Sequence, residues 1–378
     1  MSFLSNKNKI FDPNQNQDDM NLFEKLNFWF LAHSKIPLKE KIFFIQNLST
    51  MLKAGLSLAQ ALEGLKQQTT NKRFAGIIHD ICTRVDKGEK LSSSFKKYPN
   101  VFGHLFVSMV ASGEESGNLE NVLAQLHKQL KRSHELNSKV KGAMTYPIVI
   151  LVALVGIFVA MIIFVIPKFV SIFDELGSEL PVTTRVLINL SDFAQNNLIL
   201  LVIILIVSVV GFTKAIRTKK GQEIKDNILI RLPVLAPIIK KINLTRFART
   251  ISSLIKTEIP IVKAFQITAD NMGNLNYKNA LLTAADSIQK GLSINEVLRG
   301  YPQLFPPTII QMITVGEESG SVDDILLEIA EFYEEEVNQI MKNLPTIIEP
   351  VLMLVLGLAV GFMAVSILMP MYSMSNAF

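Results

Sequence analysis

The sequence predicts an all-α protein: two duplicated cytoplasmic helical-bundle domains of about six helices each, combined with three transmembrane helices. Three observations lead there. The pentapeptide Gly113-Glu114-Glu115-Ser116-Gly117 recurs unchanged as Gly316-Glu317-Glu318-Ser319-Gly320, an offset of 203 residues (113 to 316). The same offset pairs Phe44 with Phe247, Gly88 with Gly291, Tyr98-Pro99 with Tyr301-Pro302, Phe102 with Phe305, Pro147 with Pro350 and Pro167 with Pro370. These matches fall on glycines, prolines and aromatics, where backbone geometry is most restrictive, so one unit is used twice. Second, apolar residues recur at three- and four-residue spacing, as in Phe44-Leu48-Leu52 and Ile77-Ile78-Ile81-Val85, without the alternation of strands. Third, 49% of the 378 residues are hydrophobic and the mean hydropathy is +0.32, too apolar for an ordinary soluble chain.

Residues 1–35 form a polar N-terminal segment, rich in Asn, Gln, Lys and Asp to about residue 21 and expected to be disordered there. Leu22, Phe23, Leu26, Trp29 and Phe30 follow at helical spacing, an amphipathic stretch suited to a membrane surface, a partner or its own domain. The cluster Phe28 to Ala32 is too short for a signal-peptide core and follows several acids, so no cleavage is expected. The first domain spans 36–146, with breaks at Gly55, Gly88, Pro99 and Gly117, and a long helix from Asn118 points toward the first apolar run.

That run, 147–166, lies in a stretch without charge between Lys141 and Lys168 and is long enough to cross a ~30 Å hydrocarbon core. A periplasmic loop over 167–195 leads to a second span at 196–213. A cytoplasmic linker over 214–239 opens a segment that, up to Arg246, holds nine basic residues against Glu223 and Asp226, which marks its side as the cytoplasm. The second domain covers 240–349, a third span 350–370, and the uncharged tail 371–378 is placed outside. The middle span has no repeat partner, and geometry requires it. A domain followed by one span leaves the chain outside, and a return crossing must precede reuse of the unit in the same orientation.

Catalytic chemistry finds no foothold. Glu114-Glu115 and Glu317-Glu318 are adjacent on a helix, about 100° apart, and do not face one another as an acid–base pair. The glycines at both ends of the motif suit a helix-to-helix turn, with Asn118 and Ser321 as N-caps and Ser321-Asp324 as a capping box. All ten residues, Gly113 to Gly117 and Gly316 to Gly320, are read as structural coupling turns. The five histidines, His33, His79, His104, His127 and His134, lack metal-site spacing, and the single cysteine, Cys82, reads as a core residue. There is no phosphate-binding loop and no dinucleotide fingerprint. No cofactor, metal or direct nucleic-acid contact is expected, and no charge lies within the spans to suggest an ion path.

The two repeats differ in charge. Residues 44–146 hold 14 Lys and Arg against 8 Asp and Glu, and residues 247–349 hold 7 against 14. Lys128, Lys131 and Arg132 in the first and Glu334, Glu335 and Glu336 in the second are the candidate partner surfaces, facing each other across a homo-oligomer or different partners. From these features alone a transporter and an assembly scaffold both remain open. An odd number of spans, same-sense repeats and no polar site at mid-membrane argue against transport.

Ile36-Pro37, the run Phe44 to Leu62, Tyr98 to Phe102, the doubled Gly-Glu-Glu-Ser-Gly and Thr145-Tyr146-Pro147 with Ile166-Pro167 resemble the type II secretion F family and its relatives, the PilC-type platforms of type IV pilus machines. The resemblance covers about 36–376. It implies a non-enzymatic platform in the bacterial inner membrane, N-terminus cytoplasmic and C-terminus periplasmic. Implied partners are a hexameric assembly ATPase, pilin or pseudopilin subunits, other inner-membrane pilus or secretion components, the bilayer and further copies of the chain. The second half departs from the pattern at Glu258-Ile259-Pro260 and at Thr346 to Pro350.

Overall fold

Helices account for every regular element among the described residues, which are 35–165, 167, 189, 193, 197–232 and 235–375 of a computed structural model. The amphipathic stretch around Leu22 to Phe30, most of the 167–195 connection and the last three residues of the tail lie outside them. The first repeat consists of α1 (Leu38–Lys53), α2 (Leu58–Gln68), α3 (Lys72–Asp86), α4 (Leu91–Lys96), α5 (His104–Glu115) and α6 (Leu119–Ala160). Two helices with no counterpart among the described residues follow, α7 (Leu198–Arg217) and α8 (Lys219–Arg231). The second repeat consists of α9 (Ala236–Ile255), α10 (Ile261–Asn271), α11 (Leu275–Gln289), α12 (Ile294–Arg299), α13 (Pro307–Ser319) and α14 (Val322–Ser375). From α2 onward each helix of the first repeat has a counterpart whose first residue lies 203 positions later, as Leu58 has Ile261 and Leu119 has Val322.

The repeats share core chemistry. Phe44, Phe74, Phe95, Phe102 and Phe106 form one buried aromatic cluster, with the Phe95 and Phe102 ring centres 4.4 Å apart and Phe44 set edge-on to Phe74 at 5.4 Å. At the matching positions Phe247, Tyr277 and Phe305 pack edge-to-face, Phe247 to Phe305 at 5.1 Å and Tyr277 to Phe305 at 5.6 Å. Tyr277 stands where the first repeat has Phe74, and its hydroxyl is accommodated by donating to the Leu304 carbonyl at 2.9 Å. Each fully buried ring contributes roughly 1.5–3 kcal/mol, so these clusters dominate the packing of each repeat.

The turns also repeat. Gly55, Gly88, Gly117, Gly291 and Gly320 adopt positive φ, and in each case the residue beyond donates its N–H back over the last helical turn, as Asn118 does to the Gly113 carbonyl and Ser321 to that of Gly316, both at 2.9 Å. The exception is Glu258 at φ 62°, at the position matching Gly55. Its neighbour Ile259 still donates to Leu254 at 3.2 Å, so the departure seen in the sequence at 258–260 keeps the turn and changes only the residue bearing it. A side chain in the left-handed region costs on the order of 1–2 kcal/mol. Glu258→Gly should therefore raise stability by about 0.5–1 kcal/mol after the extra freedom of glycine in the unfolded chain is subtracted. Thermal unfolding of the full chain in detergent checks this, and a lower melting temperature would refute it.

Residues up to Asn137 together with Leu229–Glu336 form one compact unit, and 138–228 with Val337 onward form a second. The first unit holds the helices of both repeats up to the first turns of α6 and α14 over a single continuous hydrophobic core. Within it α5 of the first repeat packs against α10 of the second, and Ser112 Oγ donates to the Thr257 carbonyl at 2.7 Å. In the second unit, the end of α6 with the π-helical turn Met161–Val165 that continues it, and α14 up to Gly361, carry segments long and apolar enough to cross a membrane, judged by length and composition among the described residues. Helix α7 has 20 residues, with Lys214 and Arg217 confined to its last turn.

Candidate functional site

The doubled pentapeptide ties three helices together in each repeat. Its first glycine lies where the following helix crosses closely: a methyl group on Gly113 would sit 2.9 Å from Val122 Cβ and 3.1 Å from Leu119 Cα, and one on Gly316 would sit 3.2 Å from Val322 Cα. The last glycine, at φ 68° in Gly117 and 71° in Gly320, reverses the chain. The first glutamate reaches a different helix. Glu114 accepts from the Leu91 and Ser92 backbone N–H groups, the latter at 3.0 Å, and so caps α4. Glu317 does the same for α12, accepting from Ile294, from Asn295 N–H at 3.1 Å and from the Asn295 amide at 2.8 Å. A carboxylate suits the free N–H groups and positive dipole end of a helix start.

The remaining motif residues have plainer roles. Glu115 and Glu318 are exposed, and Ser116 and Ser319 donate back to carbonyls of their own helices. The helix-to-helix turn expected from the glycines is present, but the Ser321-Asp324 capping box is not what forms: Ser321 Oγ pairs with Ser319 Oγ at 2.7 Å, and Asp324 accepts from Lys256 at 2.8 Å. Asn118 likewise engages Asn121 by its side chain, at 2.7 Å. The capping by Glu114 and Glu317 was not read from the sequence. A glutamate at the same place in both copies, 23 residues after a short helix start, was the available signal.

Between the repeats, α6, α9 and α14 enclose charged side chains. Glu334 is only 6% exposed and makes an ion pair with Arg249, itself largely buried, while Arg132 approaches the other carboxylate oxygen at 3.7 Å. Gln129 donates to Thr250 Oγ1 at 3.1 Å, and Arg246 donates to Asn137. Burial pushes the Arg246 guanidinium below its usual range. These groups line a cavity of about 180 Å³. Glu334 is thus interior, whereas Glu335 is exposed and Glu336 pairs with Lys241 at 2.9 Å. Lys128, Lys131 and Arg132 are exposed along α6. Cys82 is buried, and burial raises its thiol pKa.

In the second unit, α6 and α14 border an apolar cleft of about 270 Å³, lined by Ile150, Leu154, Ile157, Leu352, Met353 and Leu356 among others. Its polar liners are Tyr146 and Glu349, which occupy the same position in the two repeats.

The family described as Type II secretion system (T2SS), protein F, matches residues 44–167 and again 247–370. The chain belongs to this family. The two matched segments start 203 residues apart, the offset of the doubled pentapeptide, and together cover well over half of the sequence. Among relatives, the type IV pilus assembly protein PilC of Myxococcus xanthus is 34% identical over 339 residues, 90% of this chain and 81% of that protein. PilC of Thermus thermophilus is 35% identical over 335 residues, 89% and 82% of the two chains. The type II secretion system protein F of Vibrio cholerae is 32% identical over 332 residues, 88% and 81%. Relatives thus carry names from pilus and from secretion systems, and the family is one of machinery components.

Proposed function

We propose that the protein is the inner-membrane platform of a type IV pilus or type II secretion machine, coupling a cytoplasmic hexameric ATPase to the insertion of pilin or pseudopilin subunits into a filament. The observation that carries this reading is the apolar cleft of the second unit. Its aliphatic walls suit an apolar helix, and Glu349 beside Tyr146 would attract a cationic end on that helix. A segment delivered from the bilayer by such a groove is what filament assembly requires. The first unit, with its repeats locked by the doubled turns, is the rigid body on which the ATPase acts. Non-enzymatic action accords with the structural roles found for Glu114 and Glu317.

A photoreactive side chain at Leu154 or Met353 should give a covalent adduct with the major pilin in cells assembling filaments. Normal assembly without any adduct from either position would remove the cleft from the pathway.

The proposed topology has three spans, 147–166, 196–213 and 350–370, with both repeats, 36–146 and 240–349, and the basic linker 214–239 in the cytoplasm. The 167–195 loop and the 371–378 tail lie outside, and further copies assemble around the filament base. Reporter fusions after Asn118 and Asn274 should read cytoplasmic, and those after Ser178 or at Phe378 external. A cytoplasmic reading at Phe378 would sink the three-span arrangement.

A further inference from the structure

The charged junction of α6, α9 and α14 has more cation than its own carboxylates answer. Outside the 180 Å³ cavity, and sharing Gln129, Arg132 and Arg249 with it, runs a groove of about 770 Å³, within the roughly 300–1,000 Å³ range of small-ligand sites. Lys128, Lys131, Arg132, Arg249 and Lys256 line it against Glu135 and Glu331. Lys256 is engaged by Asp324, and Arg132 and Arg249 by Glu334. Lys128 and Lys131 make no ion pair among the described residues, and deeper in, Arg246 has only the neutral Asn137 amide.

The lining also indicates what kind of ligand fits. Leu327 is its one aliphatic member and His127 its one ring, so an acyl chain would find no continuous apolar wall. Lysine ammonium groups and arginine forks suit the oxygens of a compact anion, and Arg249, 12% exposed, is too deep for carboxylates spaced along a peptide backbone. We propose that the α6/α9/α14 groove is a binding site for a compact phosphate-bearing anion, an oligophosphate or the phosphate headgroup of a lipid. This goes beyond the platform reading and does not depend on it. A ligand here would clamp the two repeats to each other through α6 and α9.

The test uses the full chain in nanodiscs of neutral phosphatidylcholine, titrated with tripolyphosphate at constant ionic strength. Saturable binding is expected, weakened about tenfold or more in the Lys128→Gln/Lys131→Gln variant, the loss of one charge-assisted contact or more. Because both lysines are exposed, folding should persist. Nanodiscs of phosphatidylglycerol distinguish the sources: tripolyphosphate binding abolished there identifies a lipid headgroup as the occupant, and binding retained identifies a soluble phosphate. Binding no tighter than that of sulfate, or unaltered by the lysine substitutions, overturns the proposal. Displacement by hexaglutamate at equal concentration also overturns it and assigns the groove to an acidic protein segment.

Discussion

Replacing Glu334 by alanine should lower the stability of the repeat-bearing unit by about 3–5 kcal/mol, because it leaves Arg249 buried and without its counter-charge. The carboxylate is 6% exposed and serves Arg249 on α9 and Arg132 on α6 together, so a single deletion strands one interior cation and loosens three helices. In a unit of this size that corresponds to a fall of roughly 6–20 °C in melting temperature. The double variant Arg249→Met/Glu334→Leu should recover most of the loss, since a hydrophobic pair of similar volume avoids the desolvation of both charges. Circular dichroism melts of the full chain in detergent measure both. A single variant as stable as the parent would mean that water reaches Arg249 freely.

The second large effect is expected from Glu317→Ala, about 2–3 kcal/mol, against less than ~0.5 kcal/mol for its exposed neighbour Glu318→Ala. Glu317 holds the first two backbone N–H groups of α12 and the Asn295 amide, and charge-assisted bonds of this kind contribute most when few alternatives exist. Glu114→Ala should behave similarly through α4, with a smaller loss because it lacks a third bond. Equal effects at Glu317 and Glu318 would overturn the capping role. Filament assembly should follow stability in this series, since the motif positions helices and touches no reacting group.

Much of the molecule was legible in the chain. Repeating glycines, prolines and aromatics act through local backbone restrictions that do not depend on what lies nearby, so the duplication, the helix order and the left-handed turns at Gly117 and Gly320 could be read directly. Glu258 shows the limit of such reading, since a residue unsuited to positive φ occupies the turn that Gly55 makes elsewhere, and only the surrounding helices hold it there. Capping was misplaced for a related reason. Ser321 and Asp324 have the spacing of a local box, but Lys256, 68 residues away, competes for the aspartate.

By itself the sequence determined the helical class, the two copies, the apolar runs and the membership in the protein F family, because each rests on composition or on patterns within a few turns of helix. Only the tertiary structure decided that the two repeats form one body over a shared core, and this redistributes the charges. Glu334 reads in sequence as one of three acids on a candidate partner surface, yet it is interior because α9 brings Arg249 to it across 85 residues of chain. Lys128 and Lys131, by contrast, stay exposed along a groove that exists only where α6, α9 and α14 meet. Contacts between elements distant in sequence are set by packing of whole surfaces, and no local pattern encodes which charge will be buried by them.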